Sequence, residues 1–210
     1  MRGLPDFMII GASRCGTTSL FMYLAEHPNV VAPLGRKEIQ FFNLGYNAEN
    51  IHFYLACWPD GIPKDYLIFE ATTDYLYEPK VPTRIKYWIP ECKFIVMLRN
   101  PVNRAWSEYY NYWMQFLMVK HDDLRKMAKE IKPNTPEATM VPYTNNSKRR
   151  IIQKGMYAKS LRRWFKYFPK SSFLIIKSEE FFADPQATID KCFNFVGLSL
   201  IGYKKFPKYD

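Results

Sequence analysis

The chain has 210 residues and a formal net charge of +10, which is long enough for one well-buried α/β domain and short for two. Hydrophobic residues at 48% and aromatics at 17% exclude a disordered chain, and no apolar run reaches the roughly 20 residues of a membrane span. The basic balance points to polyanionic partners, whether nucleotide, acidic glycan, nucleic acid or anionic membrane, without choosing among them. No basic, apolar and small-residue succession marks a secretory leader, so a soluble, cytoplasmic chain is expected. Cys15, Cys57, Cys92 and Cys192 lie far apart with no CxxC or Cys/His spacing, so free thiols and no metal site are expected.

In chain order, the first predicted strand covers 7–10 and runs into GASRCGTTSL, a loop holding Gly11 and Gly16, with the hydroxyls of Thr17, Thr18 and Ser19 opening a helix over 17–26. Small residues let the backbone approach an anion, while Thr17, Thr18 and Ser19 place hydroxyls and amides at the positive end of the helix. Gly11 and Gly16 have the spacing of a P-loop, GxxxxGK(S/T), but Thr17 stands where a nucleoside triphosphatase needs its lysine. The cation of this loop is Arg14 instead.

Further strands are predicted over 66–70, 94–98 and 173–177, and helices over 82–88, 101–116, 155–168 and 185–196. This alternation predicts an α/β fold, a single-domain parallel sheet flanked by helices with a P-loop-like nucleotide-binding crossover. Asp184, Pro185 and Gly197 punctuate the last helix as N-cap, first residue and C-terminal stop. In 155–168, Leu161, Trp164, Phe165 and Phe168 recur at helical spacing opposite Lys159, Arg162, Arg163 and Lys166. Segment 117–150, with KPNTPEAT and PYTNNSKRR, reads as a loop insertion.

A second anion site is expected where the third strand ends. Arg99 closes FIVMLR, and Asn100-Pro101 opens a helix carrying Ser107 about two turns along. Ligands of open parallel sheets gather at the carboxyl ends of strands, so Arg99 falls on the same rim as the Gly16 loop. An arginine with a hydroxyl can clamp a phosphate.

Together these segments resemble sulfotransferases that use 3′-phosphoadenosine 5′-phosphosulfate (PAPS), especially the heparan sulfate N-sulfotransferase and glucosaminyl 3-O-sulfotransferase domains. IIGASRCGTTSL is similar to the family's 5′-phosphosulfate loop, LRNPVNRAWSEY to its 3′-phosphate site, and KEIQFFN to the segment that supplies its catalytic carboxylate. The resemblance implies a sulfotransferase fold and transfer of a sulfuryl group from PAPS to a hydroxyl or amine, leaving 3′,5′-adenosine bisphosphate (PAP). It implies that Glu38 is the general base and that Arg14 takes the place of the family's loop lysine. Arg14, Cys15, Gly16, Thr17, Thr18 and Ser19 would then surround the 5′-phosphosulfate, Arg99 and Ser107 would hold the 3′-phosphate, and Tyr157 would line the nucleotide site.

The chain departs from the family pattern in three places. Ala71 stands where heparan-type enzymes carry a lysine, which leaves Arg14 alone or lets Lys80 or Arg84 reach in. Asn111 stands where some N-sulfotransferases place a histidine. The family's C-terminal nucleotide-closing loop has no counterpart after GYKKFPKYD, which leaves Lys204, Lys205 and Lys208 as partial substitutes. For the acceptor, a small molecule or glycan, Arg36, Lys37, Lys80, Arg149, Arg150 and Lys154 offer positive charge and Tyr75 and Trp113 offer stacking faces; no nucleic-acid partner is expected. Relatives of this kind work in the Golgi lumen, which is the alternative compartment. Two other functions fit parts of the sequence: a P-loop kinase or nucleoside triphosphatase with Glu70 as its acidic residue, and a basic glycan- or nucleic-acid-binding module without turnover.

Overall fold

The computed structural model describes residues 3–119 and 151–207, with side chains for all but 112–119. The chain divides into two compact units, Met1–Arg99 with Tyr157–Asp210, and Asn100–Met156.

The first unit is built on a five-stranded sheet in the order β2-β3-β1-β4-β5, every pair parallel. Its strands are β1 (Phe7–Gly11), β2 (Val30–Val31), β3 (Leu67–Ala71), β4 (Lys93–Leu98) and β5 (Phe173–Lys177). All five residues of β1 are buried, as are Phe94–Met97 of β4 and Ile68–Ala71 of β3, as expected where helices cover both faces of a parallel sheet. Four strands fall within one residue of their expected positions. The two-residue β2 escaped the sequence because Val30-Val31 is too short to show a period. After β1 the chain goes to β2 at one edge of the sheet, and after β4 it goes to β5 at the other. The ends of these neighbouring strands therefore bracket the crevice where open α/β sheets bind ligands.

The helices of this unit are α1 (Thr17–Ala25), α2 (Ile51–Leu55) and α3 (Val81–Trp88) before β4. In the second unit stands α4 (Pro101–Val119), and the first unit resumes with α5 (Tyr157–Trp164), α6 (Ser178–Ala183) and α7 (Pro185–Val196). The punctuation of α7 is as read: the Asp184 carboxylate accepts from the Ala187 amide at 3.0 Å, and Gly197 closes the helix at φ 91°. The amphipathic face of α5 is buried, with Trp164 at 0% exposure beside Phe94, Phe168 and Phe173. The short α6 was not expected, since SEEFFA follows β5 with no separating turn signal.

In the second unit the Asn100 side chain accepts from the amides of Val102 and Asn103 and starts α4. Within the same unit Arg104 is buried, donating to Glu108 and to the Ile151 carbonyl, while Lys154 pairs with Glu108 at 3.2 Å. Lys154 was expected to face an acceptor; it is instead buried in this ion pair, because two cations around one carboxylate offset its desolvation. The loop insertion expected over 117–150 lies outside the described residues from 120 on, and 117–119 continue α4.

Gly11 is a point of close approach. At φ 149°, a Cβ there would lie 2.9 Å from both the Thr73 carbonyl oxygen and the Leu76 Cβ. Gly197 is also left-handed, yet nothing lies within 4 Å of its missing Cβ. Gly197→Ala should therefore cost about 1 kcal/mol from backbone strain alone, and Gly11→Ala at least about 3 kcal/mol from strain plus overpacking. Urea unfolding of the two variants checks the order, and equal losses would remove the steric argument.

Candidate active site

The loop between β1 and α1 is held from behind. The Ala12 amide donates to the Met97 carbonyl of β4 at 2.8 Å, and the buried Ser178 hydroxyl donates to the Cys15 carbonyl at 2.8 Å. Gly16 is the N-cap residue of α1 at φ 86°, so the cap position itself contributes no side-chain hydrogen bond. A Cβ on Gly16 would lie 2.9 Å from the ring of Phe182, so α6 packs directly against the loop. Arg14 is exposed at φ 65°. The result is a cradle of small residues at a helix N-terminus, the arrangement that holds phosphate or sulfate, and it fits the donor implied by the sequence.

The other predicted anion residue of this unit sits beside the loop. The Arg99 guanidinium donates to the Arg14 carbonyl at 3.3 Å, and the Tyr157 hydroxyl donates to the Arg99 carbonyl at 3.0 Å while lying 4.0 Å from the Cys15 sulfur. Arg14, Cys15, Arg99 and Tyr157, scattered over more than 140 residues of sequence, thus form one group. Ser107 belongs to the second unit, half-buried on α4.

Glu38 arrives from a loop between β2 and α2. Its carboxylate accepts from the Thr73 amide at 2.9 Å and the Thr73 hydroxyl at 3.3 Å, and it receives the Lys37 ammonium at 2.7 Å. Lys37 also donates to the Thr17 hydroxyl at 3.4 Å. One ammonium therefore joins the predicted base to the first residue of α1. Thr73 was not singled out from the sequence; the hydroxyl pair in EATTDY is the signal that could have found it.

The loop bearing Glu38 is fixed by its other side. The Gln40 amide donates to the Thr72 hydroxyl, the Phe42 amide to the Tyr75 hydroxyl, and Arg84 donates to the Phe42 carbonyl at 2.6 Å. Gln40 itself is held at φ 60°, a strained backbone that such a network can impose. Phe41 and Phe42 pack on Tyr46 and Tyr54.

This geometry corrects two expectations. Tyr75 is 0% exposed and packs on Phe42, so it offers no face to a sugar; its hydroxyl serves the loop. Arg84 lies 4.4 Å over the Tyr46 ring and on the Phe42 carbonyl, so it supports the loop rather than replacing the cation missing at Ala71. Arg36 and Lys80 are exposed. Trp113, Arg149 and Arg150 fall outside the described side chains. The C-terminal segment packs at the far end of α1, where the Tyr23 hydroxyl donates to the Pro207 carbonyl and the Tyr203 hydroxyl to the Tyr23 carbonyl. Lys204 and Lys205 are exposed there, and Lys208 lies outside the described residues.

Glu70, the candidate acidic residue of a triphosphatase, is fully buried and accepts from the Tyr54 and Thr72 hydroxyls. Among the described residues no group of three His, Cys, Asp or Glu is placed to hold a metal, and no helix is long and apolar enough to cross a membrane.

The model of the sulfotransferase domain family matches residues 4–204. The chain belongs to the sulfotransferase family. Mouse bifunctional heparan sulfate N-deacetylase/N-sulfotransferase 4 is 30% identical over 202 residues, covering 93% of this chain and 22% of that protein. Mouse heparan sulfate glucosamine 3-O-sulfotransferase 3B1 is 31% identical over 207 residues, covering 94% of this chain and 47% of that one. The chain thus spans about a fifth of the first relative and about half of the second. The crystal structure of a sulfotransferase from Alicyclobacillus acidocaldarius matches with TM-score 0.71 and 28% identity over 97% of this chain and 85% of that one. A mouse sulfotransferase complexed with PAP shares the fold, with TM-score 0.52 at 18% identity over 94% of this chain and 61% of that one.

Burial pushes the Glu70 carboxyl up to about 7, against the lowering effect of the hydroxyls of Tyr54, Thr72 and Tyr75. A carboxyl that holds its proton more tightly when folded stabilises the fold fully below its ordinary value of 4.5, and this contribution is lost as pH rises through about 7. Glu70→Gln, which keeps an acceptor for Tyr54 but carries no charge, should remove a loss of about 3 kcal/mol between pH 4.5 and 7.5. Denaturation at both pH values checks this, and parallel pH profiles for the two proteins would contradict it.

Proposed function

We propose that this sulfotransferase moves the sulfuryl group of PAPS to a hydroxyl or amine of a carbohydrate, with Glu38 as general base. The observation that carries the reading is the placement of Glu38: a carboxylate from a separate loop, clamped by Thr73 and linked through one ammonium to the head of α1.

The residues fit the donor's two anionic ends. Gly16, Thr17, Thr18 and Ser19, with the N-terminus of α1, form the cradle for the 5′-phosphosulfate, while the Cys15 carbonyl held by Ser178 fixes the loop's path. Arg14, an exposed cation of the same loop, neutralises charge on the departing phosphate. Arg99 provides the guanidinium for the 3′-phosphate, and Tyr157 holds the Arg99 backbone in place. The donor supplies an activated sulfuryl group when bound. Glu38, within reach of an acceptor O–H or N–H, takes the proton as the new bond forms.

The carbohydrate acceptor is supported by the two relatives named for heparan sulfate and by the exposed Arg36, two residues before Glu38, which suits an acidic glycan. We assign both units to one sulfotransferase domain, because the family match runs through both. The four free cysteines, three of them buried, support a reducing compartment such as the cytoplasm.

Calorimetry should show PAP binding without metal and more tightly than ATP–magnesium; the reverse preference would overturn the donor. Arg99→Ala should weaken PAP by about 1.5–3 kcal/mol, and unchanged affinity would place Arg99 outside the site. With labelled PAPS and a panel of desulfated glycans, Glu38→Gln should lower kcat by about 10²–10⁴ at little change in PAP affinity. Equal turnover would remove Glu38 as base.

A further inference from the structure

The sequence leaves a gap in positive charge at the point of transfer. Thr17 occupies the position of a P-loop lysine, and Ala71, at the buried end of β3, has no amine to offer. The structure brings an ammonium to this place from elsewhere in the chain. Lys37 extends from the β2–α2 loop until its Nζ lies 3.4 Å from Thr17 Oγ1 and 2.7 Å from Glu38 Oε1. Its side chain is only 15% exposed, unlike a solvated lysine waiting for a glycan. Its neighbour Arg36 is exposed and donates to the Ile39 carbonyl at 3.5 Å, so consecutive cations on this loop face different surroundings.

Resting on the donor reading above, we infer that Lys37 is a catalytic cation of the transfer step, contacting an oxygen of the sulfuryl group, and not an acceptor-binding residue. Its position accounts for both ends of the reaction. In the resting site the ammonium is shared between the base and the anion cradle. When an anionic sulfuryl group enters beside Thr17, the ammonium has a new acceptor there and releases Glu38 Oε1, while the Thr73 amide keeps Glu38 in place through Oε2. The acceptor's lone pair then forms the new bond to sulfur. The bond from sulfur to the bridging oxygen of the 5′-phosphate breaks with its electron pair remaining on that oxygen. The acceptor's proton passes to the freed Glu38 carboxylate, and Lys37 keeps its own proton throughout. A single lysine would thus couple donor arrival to exposure of the base.

PAP lacks the sulfuryl group, so affinity for PAPS relative to PAP reads this contact with no acceptor present. In calorimetry, Lys37→Met should bind PAP within about threefold of the wild type and PAPS about tenfold or more weakly. Lys37→Arg, which keeps the charge, should recover part of the difference, and thermal unfolding of each variant confirms a folded protein. Equal weakening of both nucleotides, or of neither, would overturn the assignment. So would loss of affinity for heparin, used as an acidic-glycan probe, with the PAPS-to-PAP ratio unchanged, because that is the behaviour of an acceptor contact. A wild-type protein that binds neither nucleotide would instead overturn the donor reading itself, together with any role for Lys37 in it.

Discussion

The arrangement of the site depends on an absent side chain. Because Gly11 carries no Cβ, the turn Thr73–Leu76 after β3 can sit directly on the exit of β1, with its carbonyl and a leucine methylene where a side chain would be. That contact places Thr73 beside the anion loop that begins at the same glycine. Thr73 then grips Glu38 with its amide and hydroxyl. The proposed base and the proposed anion cradle are therefore positioned by the same backbone packing. A general base must lie within hydrogen-bond reach of the proton that it takes, and Glu38 is held for such a role by the turn that follows β3.

Behind the base lies an unusual choice for a buried carboxyl. Glu70 meets the hydroxyls of Tyr54, Thr72 and Tyr75, whereas Glu108 in the second unit is surrounded by Arg104 and Lys154. A cation at Glu70 would satisfy the charge but would also compete for the neighbouring Glu38. Hydroxyls avoid this, since they can donate to a carboxylate and still accept from other groups. Thr72 does both: it donates to Glu70 and accepts from the Gln40 amide, which sets the loop two residues beyond Glu38. The desolvation that lifts the Glu70 carboxyl toward neutrality is thus balanced against a chain of bonds that ends at the loop bearing Glu38.

The sheet could be read from the chain because its strands are continuous apolar runs with charged or turn residues at each end, and the tight turn from β1 into α1 because Gly11 and Gly16 have a spacing with a physical meaning. Helix α7 was legible to the residue, since Asp184, Pro185 and Gly197 each have one backbone role. What escaped were contacts between distant segments. Nothing in the string EATTDYLY distinguishes a tyrosine that faces a sugar from one whose ring is sealed under Phe42, so Tyr75 was given a surface it does not have. Lys37 was grouped with Arg36 because adjacent charges look alike in sequence; only the fold turns one toward Thr17 and the other toward solvent. Glu38 is proposed as the base through the resemblance of KEIQFFN, not through any local property, since an acidic residue flanked by cations is most often an exposed ion pair.

Helix α1 shows how the fold divides its labour between two ends. Its N-terminus has glycine as the cap residue, which offers the first amides no side-chain oxygen of its own, a loss of roughly a few tenths of a kcal/mol against a serine or aspartate cap. Filling that cap would neutralise the positive end that an anion needs. The compensation lies at the other terminus, where Tyr23 is enclosed by Phe181, Tyr203 and Phe206 and joined to the C-terminal segment by hydrogen bonds in both directions. His27, just beyond the helix, adds a contact to the Ser199 carbonyl at 3.1 Å and packs on Phe193 of α7. The segment 198–207 therefore secures the helix from the end remote from Gly16, and that anchorage leaves the N-terminus free for the anion proposed to bind there.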